Sequence, residues 1–309
     1  MSFTSIVKNE VSKLELFETE NISELSAIIR NSNYSENNIR ITTENSSVAR
    51  HIYTLIKDTY DITPIITARK GYNYQKKFIY ILEIKQRKSM ILNDLCIDNT
   101  NENNIPKDYI IDDEELKRAY LKGLFLITGS VNDPKKSRYH LEFIIDNEKY
   151  AEFISEMLNY FDLNSKVIRR ENKYMVYIKE AEKIGDFLRL IKASNAVLYY
   201  EDIRIYRDHK NMTNRLNNCE QANVDKMILA ATKQVNDIQT IINIVGLELL
   251  DEREQIVATY RLKYPEVSLQ ELSEIITIET GKAITKSGIN HRMKKIETLA
   301  ERIRNNEKK

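Results

Sequence analysis

The sequence predicts an α+β fold: a pseudo-two-fold domain of repeated αββ units, followed by an all-α module of helix-turn-helix type. Three observations carry this. One order of elements, strand, helix, strand hairpin and helix, is written twice in the first two thirds of the chain. Each copy is preceded by a further helical segment. The last sixty or so residues change to helical periodicity throughout and end strongly basic.

In the first copy, Ile22 to Arg30 is the leading helix and Asn38 to Asn45 the first strand. A helix over Val48 to Tyr60, strands over Ile62 to Arg69 and Phe78 to Lys85, and a short helix over Ser89 to Cys96 follow. The second copy starts with a helix over Glu114 to Ile127. Its strand is Tyr139 to Asp146, its helix Tyr150 to Phe161, its hairpin Lys166 to Arg170 with Lys173 to Lys179, and its closing helix Ala181 to Ile191. The Glu114 to Ile127 helix is apolar almost all round, as expected of a helix buried between two halves. Gly123 within it costs helix stability, so a close approach by a partner backbone is expected there.

Residues 1–200 therefore form one duplicated domain with halves at about 1–97 and 111–200. The acidic, Asn-rich stretch 98–110 reads as a solvated linker, and the carboxylates from Asp112 to Glu115 suit the positive end of the next helix dipole. A second linker is expected over 201–225, and the all-α module over 226–309.

In that module, Glu252 to Tyr260 is a first helix. Ser268 and Glu271 have the S-x-x-E spacing of a capping box, and Leu269, Leu272, Ile275 and Ile276 form the apolar stripe that follows. After Gly281, Ile289, Met293, Ile296, Ala300 and Ile303 mark the buried stripe of another helix. Ser287, Asn290, His291 and Lys294 gather on its opposite side, flanked by Arg292 and Lys295. Hydroxyl, amide, imidazole and ammonium groups near a helix start supply the donors and acceptors that base edges and phosphates require. Two short helices, the second offering that face, predict a module that lays its second helix in a DNA major groove. The DNA-facing set is Ser268, Leu269, Gln270, Glu271, Leu272, Lys282, Thr285, Lys286, Ser287, Gly288, Asn290, His291, Arg292, Lys294 and Lys295. Between Lys282 and Lys309 nine Lys or Arg face three Glu, a surplus of +6, while the whole chain carries only +1. That is the electrostatic footprint of a nucleic-acid partner.

Composition excludes several other classes. No apolar run approaches the roughly 20 residues needed to span a bilayer, and no secretory leader is visible. Cys96 and Cys219 are remote from each other and form no zinc framework, which fits a cytoplasmic, nucleoid-associated protein with reduced thiols. The seven glycines make no phosphate loop and the four histidines are scattered, so no cofactor, metal or small-molecule substrate is expected.

The segments SFTSIVKNEV at the start, RLNNCEQANVDK from Arg215 to Lys226, RLKYPEVSLQEL and TKSGINHRMKKI resemble the WhiA family of bacterial DNA-binding regulators. The resemblance implies a LAGLIDADG homing-endonuclease-like domain joined to a C-terminal helix-turn-helix, and so accounts for the repeat. The motif would be Leu121 to Gly129, with Leu25 to Asn33 as its eroded counterpart. Active enzymes of that fold carry an acid at the eighth position of each motif, where paired carboxylates hold metal for phosphodiester hydrolysis. Here those positions are Thr128 and Ser32, and neither hydroxyl replaces an anionic ligand for a hard cation. The expectation is therefore a non-enzymatic, sequence-specific regulator that binds double-stranded DNA. The resemblance places it in cell division and chromosome segregation, with sporulation genes and WhiB-like partners belonging to actinobacterial relatives only. The alternatives are an active homing endonuclease and a protein-interaction scaffold. Basic strand residues Arg69, Lys76, Lys77, Arg169 and Arg170 leave open whether the front domain touches DNA or protein.

Overall fold

A computed structural model describes all residues except 15–17, 36–37, 71–77, 98–103, 137 and 308–309. Of the residues singled out above, Lys76, Lys77, Lys308, Lys309 and the start of the acidic stretch lie outside the described residues. The chain divides into two compact units, Met1–Asp208 and His209–Lys309.

The duplication is visible in the sheets. After helix α1 (Phe3–Val11), the first half runs α2 (Glu18–Arg30), β1 (Asn33–Tyr34), β2 (Ile39–Thr43), α3 (Ser46–Tyr60), β3 (Ile65–Lys70), β4 (Phe78–Ile84) and α4 (Lys88–Asp94). The second runs α5 (Glu114–Thr128), β5 (Gly129–Val131), β6 (Leu141–Ile145), α6 (Glu148–Tyr160), β7 (Lys166–Arg170), β8 (Lys173–Ile178) and α7 (Ala181–Leu190). Each half builds a four-stranded antiparallel sheet, in the orders β1-β2-β4-β3 and β5-β6-β8-β7. The α+β class and the repeat hold, and the sequence reading lacked helix α1 and the short strands β1 and β5. Two or three residues are too few to show a period-2 pattern.

Alternation sets the core of each sheet. Ile39 and Ile41 of β2, Leu82 and Ile84 of β4, and their counterparts Leu141, Phe143, Ile145, Val176 and Ile178 are buried against the helices. Asn45 caps α3 by accepting from the Ser47 and Val48 amides, and Asn147 caps α6 by accepting from the Tyr150 amide. Glu10 of α1 caps, from a distance, the helix that starts at Ser194, its carboxylate accepting from the Asn195 and Ala196 amides at 2.7 and 3.0 Å.

Helices α2 and α5 pack against each other at the centre of the unit, both lined by buried Leu25, Ile28, Ile29, Leu121, Leu124 and Phe125. Gly123 is the point of closest approach. A Cβ there would fall 2.4 Å from the carbonyl oxygen of Glu24, which explains the glycine. Beside it a charged group is buried: Glu24 accepts from His51 Nε2 at 2.9 Å and lies 3.2 Å from Lys122 Nζ. Burial pushes the Glu24 carboxyl up, but the His51 hydrogen bond, the His51 charge and Lys122 together hold it below the usual range.

Two expectations need correction. The second part of the acidic stretch is packed rather than solvated: Ile110 is buried, and Arg30 reaches Asn104 while also donating to the Leu95 carbonyl at 2.8 Å. A buried guanidinium has five donors to satisfy, and this stretch supplies acceptors. The segment 201–225 is not an irregular linker but part of one helix, α8 (Ser194–Ile244), which contains no Gly or Pro to end it. No helix among the described residues is long and apolar enough to cross a membrane.

Candidate nucleic-acid interface

The C-terminal unit contains the last part of α8, then α9 (Glu252–Lys263), α10 (Leu269–Thr280) and α11 (Lys286–Glu307). Asp251 with Glu254 caps α9 and Ser268 with Glu271 caps α10, each by a reciprocal capping box. Gly281, at φ 66°, ends α10 in the left-handed region that glycine occupies without strain. Thr285 then starts α11, its hydroxyl accepting from the Gly288 amide at 3.1 Å. The turn between α10 and α11 is thus fixed at both ends by local chemistry.

Leu272 and Ile276 of α10 and Ile289, Met293, Ile296 and Ala300 of α11 close a common core with Val257, Ala258, Ile238 and Ile241. Arg261 is buried at 1% exposure, and Nη1 donates to the Val267 carbonyl at 2.7 Å, pinning the loop between α9 and α10. Burial alone lowers its guanidinium pKa. Lys263 and the Tyr264 hydroxyl both reach Glu279, at 2.9 Å, and join the far ends of α9 and α10. Arg304 donates to the buried Asp237 at 2.5 Å, and Lys233 pairs with Glu297, so α11 is tied to α8 twice.

These contacts orient the opposite side of α11 outward. Lys286, Ser287, Asn290, His291 and Lys294 are exposed and Arg292 and Gly288 half-buried, so the structure brings together the polar set expected there. An open depression between α10 and the start of α11 is lined by Gln270, Ser273, Thr277, Thr285, Lys286 and Ser287. Lys282 is exposed beside it.

Not every expected residue belongs to that surface. Leu272 is fully buried and cannot touch a ligand, because the stripe that identified the helix points it into the core. Leu269 packs on the same core, and the Ser268 and Glu271 side chains are engaged with each other's backbone amides. Lys295 pairs with Glu254 at 3.1 Å, and Arg304 with Asp237, so part of the basic surplus is spent inside the unit. Of the cations in the expected set, Lys282, Lys286, Arg292 and Lys294 have no carboxylate partner among the described residues.

In the N-terminal unit the eroded motif positions close on themselves. Ser32 Oγ donates to the Ile28 carbonyl at 2.7 Å and Thr128 Oγ1 to the Leu124 carbonyl at 3.0 Å, each onto the turn of its own helix. The cavity at these helix ends, about 340 Å³, has Asn31, Asn33, Asn104, Tyr150 and an Asp146–Lys173 ion pair at 2.9 Å around it. Asp146 is the one carboxylate lining it among the described residues, and it is already matched by a cation.

A duplicated αββαββα unit of LAGLIDADG type followed by a helix-turn-helix unit defines a two-part class of protein. Family models agree along the chain: the WhiA N-terminal LAGLIDADG-like domain matches residues 18–98, the WhiA LAGLIDADG-like domain 117–210 and the WhiA C-terminal HTH domain 213–300. The chain belongs to the WhiA family. It is 46% identical to the probable cell division protein WhiA of Enterococcus faecalis, over 98% of this chain and 99% of that one. It is 45% identical to the protein of the same name from Staphylococcus epidermidis, over 99% of each. Among solved structures it is similar to full-length WhiA from Thermatoga maritima, at 25% identity and TM-score 0.57, over 98% of this chain and 99% of that chain.

Proposed function

We propose that the protein binds double-stranded DNA sequence-specifically through α11, without catalysing its cleavage, and that it acts as a regulator in cell division and chromosome segregation. The observation that carries this is the outward face of α11. Its buried stripe and its ion pairs to α8 and α9 fix the helix, and the exposed Ser287, Asn290 and His291 stand where base edges would be met. Lys282, Lys286, Arg292 and Lys294 surround them as phosphate contacts. The names of the relatives support the cell-division assignment.

The non-catalytic reading is supported by the two motif hydroxyls, which spend their protons on helix carbonyls where a hydrolytic pair would need carboxylates. The N-terminal unit then serves as a scaffold rather than a nuclease.

A mobility-shift titration over a salt series tests the first part. The logarithm of affinity is expected to fall against the logarithm of salt with a slope of about −0.9 for each phosphate contact. Affinity that is flat in salt, or absent at low ionic strength, overturns it. Incubation with plasmid DNA and magnesium tests the second, and specific double-strand breaks that disappear on mutating the N-terminal unit would refute it.

A further inference from the structure

Within the C-terminal unit α8 is covered only from Ala231 onward, where Ala231, Asp237, Ile238 and Ile241 are buried. From His209 to Ala230 every residue is exposed except the half-buried Met227. A helix of about six turns with water on all sides lacks the tertiary packing that supplies most helical stability. It also displays apolar side chains without cover: Met212 is 64% and Leu216 55% exposed. This stretch contains the segment from Arg215 to Lys226, which the outward face of α11 leaves without a role.

The spacing indicates what covers it. Met212, Leu216, Cys219 and Asn223 follow one another at intervals of four, three and four, the d-a-d-a seam of a heptad repeat; the next d position is Lys226, so the seam is short and ends at Asn223. We propose that α8 of a second copy of this chain pairs with it in parallel and in register, forming a short coiled coil between the two C-terminal units.

Charge complementarity selects both the partner and the direction. On this frame Arg215 occupies a g position and Glu220 the following e position. In a parallel pair, g of one helix meets that e of the other, so two symmetric Arg215–Glu220 bridges flank the seam. Neither side chain has a partner within its own chain among the described residues. Ala222 and Met227 fall opposite each other at the next g–e step and extend the apolar strip. Asn223 at an a position meets its own copy, the arrangement by which a single polar residue fixes register. An antiparallel pair would instead set g against g and e against e, and so remove both bridges. The parallel register also puts Cys219 of one chain at the d layer against Cys219 of the other.

The test uses the full chain without DNA. Sedimentation equilibrium is expected to show a dimer in reversible exchange with monomer. Mild oxidation with copper-phenanthroline is expected to give a covalent dimer on a non-reducing gel, lost in Cys219→Ser and retained in Cys96→Ser. Glu220→Arg should weaken dimerisation several-fold, and Arg215→Glu combined with Glu220→Arg should restore it, a recovery that a folding defect would not show. A protein that sediments as monomer, a cross-link that survives Cys219→Ser, or a double charge reversal that restores nothing overturns the proposal. So does a monomer in which Leu216→Asp abolishes DNA binding, since the stripe would then belong to a different occupant.

Discussion

Lys295 Nζ stands 3.1 Å from Glu254 Oε1, joining the middle of α11 to the capping box of α9. Its neighbour Lys294 is exposed with no such partner. The two lysines are adjacent in sequence and have different tasks. Lys294→Ala is expected to weaken binding to specific and random DNA alike and to reduce the salt slope by about 0.9. Lys295→Ala should change the slope less, because its charge is already shared with a carboxylate. A half-exposed surface bridge of this kind contributes roughly 0–1 kcal/mol to folding. Equal slope changes for the two variants in parallel mobility-shift series would contradict the assignment.

Asn290 is exposed one turn into α11 and makes no side-chain hydrogen bond among the described residues. If its amide reads a base edge, Asn290→Ala costs about 1–3 kcal/mol on the preferred sequence and little on random DNA. The measurement is a ratio of affinities for a sequence selected from a random pool against the unselected pool. Equal losses on both would make Asn290 a backbone contact.

Much of this was legible in the sequence because the signals were local. The capping box at Ser268 and the glycine at 281 act within a few residues, and the stripe on α11 repeats often enough to define a face. The repeated sheets followed from alternation and hairpin spacing. What could not be read were pairings between distant residues. Lys295 with Glu254, Arg304 with Asp237 and Arg30 with Asn104 each convert an apparently free charge into a structural one. Leu272 shows the opposite limit: a stretch taken whole as an interface includes its core-facing member. The continuity of α8 was missed because scattered charges from Arg204 to Arg215 resemble a linker, although no helix breaker interrupts them.

Gly123 and Glu24 give a direct test of the helix pair at the centre of the N-terminal unit. Gly123→Ala would place its Cβ 2.4 Å from the Glu24 backbone carbonyl, which cannot move as a side-chain tip could. Although alanine favours helix formation, the overpacking is expected to dominate and destabilise the protein by roughly 1–3 kcal/mol. Chemical denaturation followed through tyrosine fluorescence and far-ultraviolet circular dichroism would report it. An unchanged or raised midpoint would show that α2 and α5 separate at little cost.

The buried Glu24 makes stability depend on acid. Lys122 Nζ is 3.2 Å from it but not aligned as a hydrogen bond, whereas His51 Nε2 is hydrogen-bonded at 2.9 Å. Because the folded carboxyl titrates below its unfolded value of 4.5, the stabilisation is present above that value and is lost as pH falls through the folded pKa. Lys122→Met removes the lysine charge from beside a carboxylate that stays buried, and breaking such a pair costs about 3–5 kcal/mol. Glu24→Gln should flatten the acid limb of the stability profile, and in that background the Lys122→Met penalty should shrink, since no buried anion is left to neutralise. Urea midpoints measured from pH 3 to pH 7 for the four proteins of this cycle would decide the matter. Additive losses would mean that Lys122 acts through packing and that His51 alone holds the carboxylate.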